Sequence, residues 1–308
     1  MGELDRGSDR DKPVEADTVG EGTLRDREVG VVVETRTRGE AYADLRQSAE
    51  SGWDRSRRFD APRGELAVFR AEQAGLPKVS AEEAGRYVER HRAGRPWLET
   101  AIRASPEALR IIVSADQGGG HGHIRHEGWV TEQASMRRVA YLEDPAQLDP
   151  DKRRRGIDGL RPGSRHHICA DLATRITDPD AFATALARGA RHPAVRAALS
   201  TPHDRTSRPD PVWLPIAVLL GKDGHKVCTG WQLEPAAGSA EAAVDNRWAW
   251  RTAMSQGRQP DVPEPAVRPV PTFEGGTIVF VVTHNRQRDG YEIATLFPQP
   301  PARDLTSR

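Results

Sequence analysis

A hairpin near the end of the chain sets the first limit on the fold. Thr277–Thr283 reads Thr-Ile-Val-Phe-Val-Val-Thr and is β-branched almost throughout, and Tyr291–Phe297 returns after a turn. β-Branched and aromatic residues fit a pleated, half-buried surface. Pro298, Pro300 and Pro301 then stop the second strand, because proline cannot donate to a ladder. We therefore predict a late antiparallel hairpin.

Helical signals come before this hairpin. Ser80-Ala-Glu-Glu83 has the spacing of a capping box, and Ser105-Pro106 is typical of a second helix start. The three glycines Gly118–Gly120 cannot continue a helix. A further helix is predicted from Asp178 to Arg188. The prediction is an α+β fold in which N-terminal helices are followed by a small twisted antiparallel β-sheet.

Composition divides the chain into four segments. Residues 1–62 are rich in charge and glycine and poor in apolar side chains, so we expect them to be largely disordered. Residues 63–116 are predicted to form a helical module, 117–301 an α+β domain, and 302–308 a tail. Within the third segment, Val212–Leu220 and His225–Leu233 flank Gly-Lys-Asp-Gly, which predicts a second hairpin.

Charge and cysteine content exclude several classes. Lys+Arg 45 balances Asp+Glu 45, so attraction to nucleic acid is not a property of the whole chain. Cys169 and Cys228 are the two cysteines, and neither lies in a C-x-x-C pair, which argues against a disulfide scaffold or a zinc finger. No apolar run of about 18 residues is present and the first residues lack an apolar signal core. We expect no membrane partner and a cytoplasmic location in the producing cell.

The densest group of chemically capable side chains follows the triple glycine. His121, His123 and His126 lie within six residues together with Arg125. Imidazole readily gives and takes protons near neutral pH, so this density predicts a functional site. One reading is a metal centre, because His-x-His-x-x-His resembles the box of metallo-β-lactamase-like hydrolases. Arg125 stands where that box has Asp, however, and a guanidinium cannot bind zinc.

The other reading is cleavage of RNA without a metal or other cofactor. RNA carries its own nucleophile in the 2′-hydroxyl, so a base, an acid and a cationic clamp on the phosphate are sufficient. Histidine supplies the proton transfer. Arginine offers a planar fork for phosphate oxygens.

Four segments resemble the RNase A-like toxin domains found at the C-termini of CdiA-type and other polymorphic bacterial toxins, within the BECR group of folds. Gly119–Gly128 resembles the opening Gly-Gly-His-Thr-x-x-Arg-His-Val-Gly, and Met136–Val139 resembles the Leu-x-x-Arg helix. Ala170–Thr174 is similar to Phe-Thr-Asp-x-Ala-Thr. Gly290–Pro298 is similar to the closing strand Gly-Tyr-x-Val-x-Thr-x-Tyr-Pro. The resemblance covers about residues 117–300.

The resemblance implies a catalytic role for four side chains. His126 or His121 would act as general base on the 2′-hydroxyl, with the other histidine or a water as the acid. Arg137 would clamp the phosphate, with Arg138 as its substitute, and Thr295 would position it. The products would be a 2′,3′-cyclic phosphate and a 5′-hydroxyl.

Five more residues are expected to contact substrate. Alternation along a strand would place Tyr291, Ile293, Thr295 and Phe297 on one face. Phe297 stands where the family has Tyr and lacks its hydroxyl, although its ring can still stack on a base. The residues expected to bind substrate are His123, Arg125, Arg138, Phe297 and Tyr291.

The resemblance also implies partners. They are an RNA substrate, with transfer RNA as one candidate, and an immunity or antitoxin protein that protects the producing cell; DNA is not expected. Secretion or delivery into target cells by a non-Sec route is the alternative location. The basic stretch Lys152–Arg155 is either a solvated loop or a surface that follows RNA. A non-catalytic module that binds RNA or protein on the same fold remains the alternative function.

Overall fold

Helices packed around two small antiparallel sheets make up the described part of the chain. The computed structural model describes residues 79–161, 167–201, 209–285 and 290–302, and the predicted α+β class is confirmed. The charged region 1–62, residues 63–78 of the helical module and residues 303–308 of the tail lie outside the described residues.

The elements are numbered here in chain order. The α-helices are α1 (Ala81–His91), α2 (Pro106–Gly118), α3 (Gly122–Arg125), α4 (Glu132–Tyr141), α5 (Pro150–Arg154), α6 (Pro179–Arg191), α7 (Pro193–Leu199), α8 (Ile216–Leu220) and α9 (Ala240–Ser255). The strands are β1 (Leu172–Ile176), β2 (Val212–Pro215), β3 (Cys228–Leu233), β4 (Val267–Pro269), β5 (Thr277–Asn285) and β6 (Gly290–Gln299).

The start of α1 and both ends of α2 lie where the sequence predicts. The Ser80 hydroxyl accepts a hydrogen bond from Glu83 N at 3.1 Å, and the Glu83 carboxylate accepts one from Ser80 N at 2.9 Å, so the capping box is confirmed. α2 begins after the Ser105 cap and ends at Gly118. Gly119 follows with a φ of 81°, a left-handed conformation that glycine adopts without steric cost.

The sheets have the orders β1-β3-β4 and β2-β5-β6, and all their neighbouring strands are antiparallel. The terminal hairpin β5–β6 is therefore confirmed. The predicted hairpin over 212–233 is wrong, because β2 pairs with β5 while β3 pairs with β1 in the other sheet. Between them Ile216–Leu220 is a helix, in which Ile216 and Leu219 are buried at helical spacing. A short apolar run fits either structure.

One contiguous core joins the helices to the terminal hairpin. Its buried residues extend from Val79 in the helical part to Leu296 in β6. The predicted division at 116/117 falls inside α2 and inside this core. Gly189 lets α6 approach the sheet, since a Cβ there would collide with the ring of Phe280. None of the described helices combines the length and the apolar character that a membrane crossing requires.

A β-bulge in β6 changes which side chains share a face. Val282 pairs with Ile293 but Val281 pairs with Thr295, so Ala294 is an extra residue in the ladder. Paired residues project to the same face, and Val281 and Val282 project to opposite faces. Ile293 and Thr295 therefore lie on opposite faces of the sheet. The prediction that Tyr291, Ile293, Thr295 and Phe297 share one face is wrong, and the bulge is the reason.

Candidate functional site

The histidine segment contacts the strand at the end of the chain. His121 N donates to Ala294 O at 2.6 Å, so the extra residue of the bulge supplies the acceptor. Gly122 lies so close to β6 that a Cβ there would be 2.9 Å from Leu296 N and 3.1 Å from Thr295 Cα. The structure therefore brings together two segments that are about 170 positions apart in the sequence.

His126 is held in one tautomer. Its Nδ1 lies 2.7 Å from Thr174 O, and a carbonyl can only accept, so Nδ1 carries the proton and Nε2 keeps a lone pair. The ring centroid is 6.3 Å from that of His121 and 5.1 Å from that of Phe297. Burial, the charge of Arg138 and the neighbouring His121 hold the pKa of His126 well below its usual value. The imidazole is thus a neutral base at physiological pH.

His121 is neutral as well. Burial, together with the charges of Arg125 and Arg138, lowers its pKa from 6.5 to about 3. Its side chain is half-buried at the point where α3 begins. The site therefore presents two uncharged imidazoles, and a cation lies near enough to disfavour their protonation.

Arg138 is one of the two cations that act on both imidazoles, the other being Arg125. Arg138 is 7% exposed, its Nε donates to His167 Nε2 at 3.2 Å and its Nη1 donates to Arg125 O at 3.4 Å. Both acceptors are neutral, and among the described residues no carboxylate lies within ion-pair distance of this guanidinium. A buried charge without a counter-ion is costly. The arrangement is therefore complementary to an anion.

Arg137, predicted as the phosphate clamp, has a different environment. Its Nε and Nη2 donate to the two carboxylate oxygens of Glu143 at 2.8 and 2.5 Å, and the guanidinium lies 5.1 Å from the ring centroid of Tyr141. Consecutive helical residues point about 100° apart, so the packing of α4 directs only one of the two arginines to the histidines. Of these two, the arginine whose charge acts on both histidines is Arg138, which the sequence offered as the substitute.

Arg125, predicted to bind substrate, is instead part of a buried ion-pair network. Its Nε and Nη2 donate to the Asp144 carboxylate at 2.9 and 2.6 Å, and Nη2 also lies 3.2 Å from Asp158. Asp144 is completely buried. Breaking such a pair by removing one partner is strongly destabilising. The contribution of Arg125 to the site is its charge and its support of the fold.

His123 also departs from the predicted role. Its Nε2 lies 3.4 Å from Asp116 Oδ1, on a carboxylate that accepts hydrogen bonds from Tyr87 at 2.8 Å and Trp97 at 2.9 Å. This side chain therefore packs among the N-terminal helices. His121, His123 and His126 are not among the described groups whose ligand atoms gather closely enough to hold a metal ion.

Of the remaining predicted residues, Phe297 and Thr295 lie on the site's side of β6 and Tyr291 does not. Phe297 is half-buried against His126. Thr295 is 4% exposed and its hydroxyl has no hydrogen-bond partner among the described residues. Tyr291 projects from the opposite face, where its ring lies 5.6 Å from that of His284, and is buried in the core. The structure therefore does not bring Tyr291 together with the histidines.

Asp144, Asp158 and His167 bring ligand atoms within 4.8 Å of one another, as metal ligands do. The guanidinium of Arg125 already binds both carboxylates, and its charge would repel a metal cation. Sequence reasoning considered His167 as a metal ligand beside Cys169 but found no further ligand at a useful spacing, so it did not group His167 with the two aspartates. Asp158-Gly159 is a turn dipeptide, which was the one local signal, and Asp158 Oδ1 does accept from Leu160 N at 2.8 Å.

Comparisons with known proteins give no further identification. A scan against protein-family models, a search of curated proteins and a search of solved structures each found no match to this chain.

Proposed function

We propose that the chain is a metal-independent endoribonuclease whose site consists of His126, His121 and Arg138. One observation carries the proposal: a buried arginine that pairs with no carboxylate among the described residues acts on two neutral imidazoles whose ring centroids are 6.3 Å apart. A phosphodiester supplies the missing negative charge. It also places a hydroxyl to be deprotonated and an oxygen to be protonated on either side of one phosphorus.

The proposed reaction uses each group once. His126 Nε2 takes the proton of the 2′-hydroxyl, the 2′-oxygen forms a bond to phosphorus, and the bond from phosphorus to the 5′-oxygen breaks. The 5′-oxygen takes a proton from the other imidazole, His121, or from a water. Arg138 stays charged and stabilises the additional negative charge of the transition state. The products are a 2′,3′-cyclic phosphate and a 5′-hydroxyl, with no metal required.

The charges of the free site require the substrate to bind before His121 can act as the acid. Because burial and the nearby arginines keep the pKa of His121 near 3, this imidazole carries no proton to donate before substrate binds. A phosphate placed between His121 and Arg138 offsets the arginine charge and raises that pKa. The acid is thus formed in the complex, after the anion has entered.

This function agrees with the resemblance to RNase A-like toxin domains. A chain of that kind would need an inhibitor in the producing cell, and we propose a protein partner whose acidic surface covers the Arg138 side of the site. Delivery into target cells by a non-Sec route belongs to the same proposal.

Burial of the site favours a second candidate, a module that binds without turnover. His126 and Arg138 are each 7% exposed and Thr295 is 4% exposed, so a substrate must open the site to reach them. Phe297 also lacks the hydroxyl that the toxin family has at this position. Either an RNA or a protein could be the bound partner of such a module.

One assay separates these functions. Purified protein is incubated with labelled RNA in EDTA, with His126→Ala as the test and His225→Ala, a histidine in the turn before β3, as the matched control. We expect cleavage to 2′,3′-cyclic ends that is lost in His126→Ala and kept in His225→Ala, while a 2′-deoxy substrate stays intact. Cleavage that EDTA abolishes would indicate a metallohydrolase, binding without product would indicate the module, and equal cleavage by both variants would overturn the assigned base.

A further inference from the structure

His167 connects Arg138 to a pair of buried carboxylates. Its Nε2 accepts from Arg138 Nε at 3.2 Å, and arginine nitrogens can only donate, so Nε2 carries no proton. In a neutral imidazole the proton then lies on Nδ1. That atom faces Asp158 Oδ2 at 3.6 Å and Asp144 Oδ2 at 3.9 Å, and the side chain is 1% exposed.

The two carboxylates are themselves fixed by backbone and side-chain donors. Asp144 Oδ2 accepts from Gly159 N at 2.7 Å, and Asp158 Oδ1 accepts from Leu160 N at 2.8 Å. Arg125 binds both of them from the side. The carboxylates therefore provide a rigid negative surface for the N–H of His167, which favours the tautomer whose lone pair points to Arg138.

We infer that His167 is a positioning residue that holds the guanidinium of Arg138 in the orientation needed to bind a phosphate beside His121 and His126. This inference rests on the proposed function, since it assigns a role in the same site. His167 differs from an ordinary buried side chain because it accepts a hydrogen bond from Nε of the Arg138 guanidinium. Among the described residues no carboxylate pairs with that guanidinium.

The test compares two replacements of His167. In His167→Gln the side-chain carbonyl can accept from Arg138 while the amide donates toward Asp158, whereas His167→Leu fills similar space and cannot accept. A hydrogen bond to a charged group predicts that His167→Leu lowers kcat for RNA cleavage by about 10- to 100-fold. His167→Gln should recover most of that loss. If the two variants cleave RNA equally well at matched thermal stability, His167 has no positioning role.

Two measurements do not depend on activity. Nitrogen-15 NMR of the intact chain should show the Nδ1–H tautomer at His167, and an Nε2–H tautomer would overturn the inference. Titration with inorganic phosphate, followed by the imidazole signals of His121 and His126, should show binding in the native chain and His167→Gln and weaker binding in His167→Leu.

The outcomes for the two proposals are separable. If the native chain cleaves no RNA but binds phosphate in a way that depends on His167, the ribonuclease proposal fails and the positioning role stands. If RNA is cleaved while His167→Leu and His167→Gln behave alike in both assays, only the positioning role fails.

Discussion

Two neighbouring arginines in α4 show how strongly environment decides the role of a side chain. The Arg137 side chain is 38% exposed and makes two hydrogen bonds to Glu143, while Arg138 is buried against neutral acceptors. The first is a satisfied ion pair. The second is a buried positive charge that no carboxylate among the described residues neutralises. A buried charge of this kind indicates a site at which a ligand supplies the opposite charge.

This contrast predicts opposite effects on activity and stability. Arg138→Met should lower RNA cleavage by about 100-fold or more, as expected for loss of a group that stabilises the charged transition state. Its free energy of unfolding should stay constant or rise, because the substitution removes a buried charge that pairs with no carboxylate among the described residues. Arg137→Met is the control for activity: cleavage should be retained, but stability should fall by about 3–5 kcal/mol, because Glu143, whose side chain is 3% exposed, loses its ion-pair partner. Urea unfolding and initial cleavage rates measure both quantities, and a large stability loss in Arg138→Met would contradict the assignment.

The hydroxyl of Thr295 gives a second prediction at this scale. It is buried without a hydrogen-bond partner among the described residues, and valine has the same shape without the polar atom. Thr295→Val should therefore raise the free energy of unfolding by about 1 kcal/mol. Cleavage should fall if the hydroxyl contacts substrate. Thr283→Val, an exposed position on the same face of β5, is the control. A destabilised Thr295→Val would show that the hydroxyl has a partner in the folded state.

At the scale of elements, the close contact of α3 with β6 holds the histidines in place. Gly122→Ala would put a Cβ 2.9 Å from Leu296 N, and backbone atoms cannot move aside as a flexible side chain can. We expect a loss of about 1–3 kcal/mol in stability, as for overpacking elsewhere, together with reduced cleavage.

Gly85→Ala in α1 is the matched control. A Cβ there meets nothing within 4 Å, and alanine is the better helix former, so stability should rise by about 0.5–1 kcal/mol. Chemical denaturation of both variants measures the difference. Equal effects of the two substitutions would mean that α3 is not pressed against β6.

The elements also show how far the sequence alone could lead. Caps and β-branched runs are local signals, and they correctly predicted the start of α1, the end of α2 and the hairpin β5–β6. The bulge at Ala294 could not be foreseen, because strand pairing, and not the strand's own sequence, decides where an extra residue is accommodated. The same limit explains why the sequence favoured Arg137 whereas the structure directs Arg138 to the histidines. The orientation of a helix about its axis depends on what the helix packs against, which the local sequence does not give.

For the molecule as a whole, buried titratable groups predict how stability depends on pH. Burial lowers the pKa of His121 from 6.5 to about 3 and holds that of His126 well below its usual value. The unfolded chain therefore binds more protons at these residues below pH 6.5, and stability falls as the pH decreases.

Glu127 makes the stability depend on pH in the opposite direction. It is completely buried, its Oε2 accepts from Thr100 Oγ1 at 2.8 Å, and burial raises its pKa from 4.5 to about 7. Between pH 4.5 and 7 the folded chain therefore holds a proton at Glu127 that the unfolded chain has lost. The contribution of this proton to the free energy of unfolding is complete below pH 4.5 and is lost as the pH rises toward 7.

Glu127→Gln isolates that contribution, since the amide oxygen can still accept from Thr100. Relative to the native chain, the variant should gain about 3 kcal/mol between pH 4.5 and 7, at about 1.4 kcal/mol per pH unit. Urea unfolding at a series of pH values measures the difference, and Glu132→Gln, at an exposed position in the first turn of α4, is the control. Parallel curves for Glu127→Gln and the native chain would mean that Glu127 is already ionised in the folded protein, and hence that water or a cation reaches it.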